Sequence, residues 1–135
     1  MTSRPTLTEA QRAFLAEPRF AVLATINADG SPQLTTMWYE LQGDEIMMNT
    51  KAGRLKDRNM RRDARVALCF EDGYNYLTIA GTVRLIEDQA VAQADIKRLA
   101  LRYHPREKAE QLARDQFERE RRVSLRLTIE RISEH

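Results

Sequence analysis

A run of basic side chains near the middle of the chain has the composition of an anion-binding site. Between Lys51 and Arg65 there are seven basic residues and two acidic ones, whereas the whole chain carries a formal net charge of only +2. Thr50 supplies a hydroxyl group just before this run, and Lys51-Ala52-Gly53 forms a small-residue turn ahead of a helix-compatible segment. A hydroxyl, the free N–H groups at a helix start and two or three cations together make a phosphate site.

The same charges also fit a solvated helix surface. Arg54, Arg58 and Arg62 are spaced four residues apart, which places them on one face of a helix. On the charges alone, phosphate binding and a solvated face are equally good interpretations. The elements on either side of the basic run, and the resemblance given below, favour phosphate binding.

Apolar and alternating runs predict six strands around this segment. Asp-Gly and Gly-Asp turns join the first three strands into an antiparallel meander, and Gly81 indicates a bulge in the fifth. The predicted strands are Phe20–Ile26, Gln33–Leu41, Glu45–Asn49, Arg65–Glu71, Tyr76–Glu87 and Val123–Ile129.

Helical segments are predicted at three points along the same chain. They lie at the N-terminus, between the third and fourth strands, and before the last strand, with Thr8 and Asp88 as caps. The predicted helices are Leu7–Ala16, Arg54–Arg62, Gln89–Tyr103 and Glu107–Phe117. We therefore expect a single domain, residues 1–135, that is mainly β and forms a closed or nearly closed antiparallel β-barrel.

The composition limits where the protein acts and what it binds. A chain of 135 residues with 42% hydrophobic and 31% charged residues is ordinary for a globular domain, and its near-neutral charge does not call for a nucleic-acid partner. Cys69 has no second cysteine to pair with, which suits a reducing compartment. With no signal-peptide core and no apolar run of membrane-spanning length, we expect a cytoplasmic protein without a membrane span.

The residue types exclude most catalytic machinery. The two histidines, His104 and His135, have no partners at metal-ligand spacing, and they do not fit a serine or cysteine triad. Five glycines scattered at turns make neither a Walker nor a dinucleotide fingerprint. No catalytic residue or metal ligand is predicted, and any chemistry is expected to come from a bound cofactor.

A family resemblance is carried by Phe20–Thr25, Asn27–Gln33, Trp38, Met48–Met60 and Arg62–Val66. These stretches resemble the split β-barrel flavin and deazaflavin family, whose best-known member is pyridoxamine phosphate oxidase. The similarity covers Pro18 to Glu87 well and the last strand weakly, and is greatest to the branch that uses the deazaflavin coenzyme F420. The resemblance implies an FMN-binding-like split barrel and a homodimer with its cofactor sites at the interface.

The resemblance also implies roles for individual residues. Thr50, Arg54 and Lys56 would hold the cofactor phosphate, within a segment that also includes Ala52, Gly53 and Asn59. The ring would be lined by Pro32, Gln33, Thr35 and Thr36, and Met48 and Asn49 would flank the ring or the ribityl chain. Some of these residues also have a purely structural interpretation. Thr35 and Thr36 fit as ordinary strand residues, and Met48 fits as a core residue. Trp38 fits as an anchor in the core or at an interface.

The expected activity is F420-dependent reduction, in which the reduced cofactor passes a hydride to a small organic acceptor. An FMN-dependent oxidase or reductase, or a flavin- or F420-binding protein without turnover, is the alternative. The chain lacks the C-terminal Arg-x-His signature of pyridoxamine phosphate oxidase, so that substrate is not expected. Lys51, Arg58 and Arg61 would form a basic groove for the acidic oligoglutamate tail of F420, and FMN needs no such groove.

Overall fold

The computed structural model describes residues 4–134, and antiparallel strands dominate that part of the chain. The strands are β1 Ala21–Ile26, β2 Pro32–Met37, β3 Glu40–Gln42, β4 Glu45–Lys51, β5 Arg65–Glu71, β6 Tyr76–Ile86 and β7 Arg122–Glu134. The helices are α1 Glu9–Ala16, α2 Leu55–Arg62, α3 Gln89–Tyr103 and α4 Arg106–Asp115, and one 3₁₀ turn, Phe117–Arg119, precedes β7. Across residues 4–134, no helix is long and apolar enough to cross a membrane.

The strands form one sheet, and a two-residue connection joins its two edge strands. The order is β2-β1-β5-β6-β7-β4-β3, and every neighbouring pair is antiparallel. Only Trp38 and Tyr39 separate the edge strands β2 and β3, and a link of that length spans at most about 11 Å. The sheet must therefore curl until its edges approach, which confirms the predicted antiparallel split barrel.

The described chain has seven strands rather than six because the predicted strand Gln33–Leu41 breaks at Tyr39. The backbone N–H of Tyr39 donates to the Tyr103 hydroxyl at 3.1 Å, and its carbonyl accepts from Arg102 Nε at 2.9 Å. The backbone N–H and C=O groups of Tyr39 therefore bond to side chains of α3, and they are not available for hydrogen bonds to a neighbouring strand. Both pairings of the predicted three-stranded meander are present, but different halves of the interrupted strand make them, since β2 pairs with β1 at one edge and β3 pairs with β4 at the other.

Three local predictions, each made from a single residue, are confirmed. The register of β6 against β7 shifts between Ala80 and Gly81, and a Cβ built at Gly81 would lie 1.8 Å from the Thr128 carbonyl oxygen. Only glycine allows the two backbones to approach this closely. Both predicted caps are also present, because Thr8 and Asp88 each accept a backbone N–H at the start of α1 and α3.

The helices divide the outside of the barrel into a covered part and an open part. Met47 points outward from β4 and is fully buried against Ile96 and Leu99 of α3. The outer face of β1 and β2 has no such cover, since Val22 and Leu34 remain 39% and 66% exposed. The covered part forms one wall of a cavity, to which Ile96 and Leu99 contribute.

Candidate functional site

A cavity of about 500 Å³ lies where the ends of β2, β4 and β7 meet α3 and α4. One group of lining residues is cationic and comes from the segment after β4 and from β7. Another is aromatic and comes from the end of β2 and the α3–α4 connection. The lining comprises Phe20, Thr36, Met37, Trp38, Asn49, Thr50, Lys51, Arg54, Lys56, Ile96, Leu99, His104, Lys108, Leu112, Gln116, Phe117 and Arg122.

The turn between β4 and α2 is held by a buried carboxylate. Gly53 has a φ of +89°, a conformation that glycine adopts without strain. The Asp57 carboxylate accepts from the Gly53 backbone N–H at 2.8 Å and from Arg61 Nε at 2.8 Å, and it is almost completely buried. Asp57 therefore fixes the turn that brings Arg54 and Lys56 to the cavity.

Arg122 reaches the same part of the cavity from the first position of β7. Its Nε donates to the Asn49 side-chain oxygen at 3.0 Å, and one terminal nitrogen donates to Glu120 at 2.8 Å. The Asn49 amide group in turn donates to the Ala92 carbonyl of α3 at 2.9 Å. Arg122 is buried and its guanidinium lies 5.1 Å from the Phe117 ring centre. These contacts hold the guanidinium in one orientation.

Three cations thus converge with few acids to balance them. Burial, and then the nearby charges of Arg54 and Arg122, lower the pKa of Lys56 below its ordinary value. Burial also lowers the pKa of Arg122, and Glu120 only partly opposes this shift. Within residues 4–134, neither Arg54 nor Lys56 forms an ion pair with a carboxylate. Like charges gathered in a partly dry site favour a bound anion.

Ring contacts and a hydrogen bond hold the aromatic wall together. The Trp38 indole stacks on Tyr103 with ring centres 5.3 Å apart and an interplanar angle of 10°, and His104 meets Trp38 edge-on at 5.3 Å. The Tyr103 hydroxyl is itself fixed by the backbone N–H of Tyr39. Phe20 stands at the opening and is 60% exposed. A flat apolar ring fits against such a wall.

Comparison with known proteins assigns the family. The family model described as pyridoxamine 5'-phosphate oxidase matches residues 7–135. The chain belongs to the pyridoxamine 5'-phosphate oxidase family. Among solved structures, a protein described as an F420 reductase is 25% identical with a TM-score of 0.76, and the match covers 94% of this chain and 98% of that one. A conserved hypothetical protein from Mycobacterium tuberculosis is 30% identical with a TM-score of 0.79, covering 98% and 89%.

The structure brings five of the predicted site residues together at the cavity of this family member. They are Thr36, Asn49, Thr50, Arg54 and Lys56. Ala52 and Gly53 contribute through the turn rather than by lining the cavity, because the Ala52 N–H donates to the Arg121 carbonyl at 2.8 Å and the Gly53 N–H to Asp57.

The other predicted residues lie elsewhere. Pro32 is exposed at the start of β2, and Met48 is fully buried in the barrel core. Thr35 faces the opposite side of β2 from Thr36, because successive strand residues alternate, so the two side chains do not share the cavity. The Thr35 hydroxyl is buried and has no hydrogen-bond partner within the described chain.

Gln33 and Asn59 belong to a separate polar cluster that fastens α2 to the β1–β2 hairpin. The Asn59 amide group donates to Asn27 at 2.9 Å, to Thr25 at 3.1 Å and to Gln33 at 3.3 Å. The Arg62 side chain adds a bond to Asn59 at 3.0 Å. Asn59 is fully buried, which gives it a structural role in this chain.

The predicted basic groove is not assembled as expected. Lys51 lies 3.6 Å from Glu120, which also pairs with Arg122, and Arg61 lies 3.0 Å from Glu87, so a carboxylate lies beside each of these two cations. Arg58 borders a different depression, beside the β1–β2 turn. Arg122 is a cation of the cavity that sequence reasoning missed. It is brought opposite Lys51 by the pairing of β4 with β7, and no local pattern predicts that pairing.

Proposed function

We propose that the cavity binds the deazaflavin coenzyme F420 and that the protein transfers a hydride from the reduced coenzyme to a small organic acceptor. The observation that carries this proposal is the group of Arg54, Lys56 and Arg122 beside an aromatic wall, which suits a planar ring attached to a phosphate. The likeness to a protein described as an F420 reductase, over nearly the full length of both chains, supports the choice of coenzyme.

Each group of lining residues has a distinct part in this proposal. Arg54, Lys56 and Arg122 bind the phosphate together with the Thr50 hydroxyl, and the ring lies toward Thr36 and the Phe20 side of the aromatic wall. Bound coenzyme supplies the hydride chemistry. The protein orients the bound coenzyme and provides a partly dry cavity. The cavity volume of about 500 Å³ is within the usual range for small-molecule sites.

FMN-dependent oxidation or reduction is the second candidate, and one observation favours it. Glu120 and Glu87 already pair with Lys51 and Arg61, two of the cations expected to attract an oligoglutamate tail. FMN ends at its phosphate and requires only the three-cation group. The family description, pyridoxamine 5'-phosphate oxidase, is equally compatible with FMN.

We further propose that two copies associate through the uncovered outer face of β1 and β2. Phe20, Val22 and Leu34 form an apolar surface there, and Phe20 also stands at the cavity opening. A second copy on this face would bury the apolar side chains and cover the opening, so that each cofactor site lies at the interface.

Titration of the purified protein with F420 and, separately, with FMN tests the coenzyme assignment. Ring absorbance and fluorescence report binding directly, with no need to know the acceptor. We expect F420 to bind more tightly and its reduced form to be consumed only when an acceptor is added. FMN that co-purifies at one molecule per chain and that F420 cannot displace would replace the first candidate with the second.

A further inference from the structure

Lys108 is a cation of the cavity that the proposed phosphate contacts do not use. It belongs to α4, and the last residue of that helix, Asp115, is seven residues further on, roughly 10 Å along the axis. Phe117, just beyond α4, contacts Arg122. Lys108 therefore lies toward the end of α4 that is away from Phe117 and Arg122.

His104 and Trp38 accompany Lys108 at this end. His104 follows α3 directly and is four residues before Lys108 in the chain, and its ring packs edge-on against the Trp38 indole. All three residues line the cavity. The imidazole can donate a hydrogen bond from a ring nitrogen, and the indole offers an apolar surface beside it.

Nothing on the same helix neutralises Lys108. Its neighbours three and four positions away are His104, Pro105, Gln111 and Leu112, none of which is acidic. Arg106, only two residues earlier, pairs with Glu110 at 3.7 Å. Within the described chain no ion pair is formed by Lys108, so its charge is available to a ligand.

From this arrangement we propose that the Trp38, His104 and Lys108 end of the cavity binds the acceptor, and that the acceptor is a small planar acid. Its carboxylate is bound by the Lys108 ammonium and a His104 ring N–H, and its aromatic or unsaturated body lies against Trp38. This inference rests on the function proposed above, because it assigns the space that the phosphate and its attached ring leave at the far end. The acid is recognised by one charge and one apolar surface, so neutral analogues of the same shape bind poorly.

Trp38 provides the readout, since it is the only tryptophan of the chain. The experiment titrates the protein, with and without saturating coenzyme, with benzoate and with its neutral analogue benzamide while indole fluorescence is followed. We expect benzoate to quench Trp38 and to bind about tenfold more tightly than benzamide, as one charge-assisted contact predicts. Equal affinities for the two probes, or no response to benzoate in either form of the protein, would overturn the proposal.

Variants separate this site from the phosphate site. Lys108→Ala should weaken benzoate binding about tenfold and leave coenzyme affinity unchanged. Arg114→Ala removes the same charge from an exposed position on the same helix that does not line the cavity, and it should change neither affinity. Loss of benzoate binding in Lys56→Ala but not in Lys108→Ala would place the acid at the phosphate cations and refute the assignment. If the wild-type protein binds benzoate but binds no coenzyme, that result refutes the proposed function and not the acid site.

Discussion

Replacing Lys56 with methionine should separate coenzyme binding from the stability of the free protein. Lys56 is half-buried beside two other cations, Arg54 and Arg122, and it has no carboxylate partner within residues 4–134. If its role is to bind an anion, removing the charge weakens the bound state and relieves repulsion in the free state. If Lys56 instead had a structural role, both the coenzyme affinity and the stability of the free protein would fall.

The expected magnitudes follow from these surroundings. A charge-assisted contact to phosphate contributes about 1.5–3 kcal/mol, which is roughly a ten- to hundredfold change in affinity. Relief of repulsion in the free protein is smaller, below about 1 kcal/mol, because Lys56 is partly exposed and solvent screens its neighbours. We therefore expect much weaker coenzyme binding with an unfolding free energy that is unchanged or slightly higher.

The lowered pKa of Lys56 adds a test by pH. The folded protein holds the Lys56 proton less tightly than the unfolded chain, where the pKa has its ordinary value of 10.5. The charge on Lys56 therefore lowers the free energy of unfolding most at pH values below the folded-state pKa. This effect disappears as the pH rises through 10.5. Burial raises the pKa of Tyr39 to about 12 and acts in the opposite direction, so the quantity to measure is the difference between wild type and Lys56→Met. That difference should shrink as the pH rises.

Coenzyme titration and urea unfolding of the free protein measure both effects in the same variant. Lys97→Met is the matched control, because Lys97 is an exposed lysine of α3 that does not line the cavity, and it should change neither quantity. Unchanged affinity for F420 and FMN in Lys56→Met would mean that the basic run is a solvated surface and not a phosphate site. A parallel fall in stability and affinity would assign Lys56 a structural role.

Three further outcomes are expected. Asp57→Ala leaves the Gly53 N–H without its acceptor and should lower the unfolding free energy by about 1–3 kcal/mol in urea; an unchanged value would mean that the turn holds without the carboxylate. Gly81→Ala forces a Cβ against the Thr128 carbonyl and should lower the melting temperature markedly, whereas a wild-type value would show that the bulge can relax. Leu34→Lys changes an exposed side chain and should shift light scattering from dimer toward monomer with little loss of stability; a wild-type mass would remove this face from the interface.

Much of the fold could be predicted from the sequence because its signals are local. The Thr8 and Asp88 caps depend on a few adjacent residues, and the alternation of β5 depends on a period of two. The close approach at Gly81 is likewise visible as a glycine inside a strand pattern. The phosphate segment could be proposed for the same reason, since Arg54 and Lys56 lie within one short turn and helix.

The tertiary structure alone decided which distant residues share a surface. Tyr39 leaves its strand because side chains of α3, more than sixty residues away in the chain, take its backbone hydrogen bonds. Arg122 lines the cavity because β4 pairs with β7. Asn59 does not line it and lies in the polar cluster between α2 and the first hairpin. A sequence states which side chains carry charge. Whether a charge faces a carboxylate, as in Arg61, or an open cavity, as in Lys56, depends on contacts that only the folded chain forms.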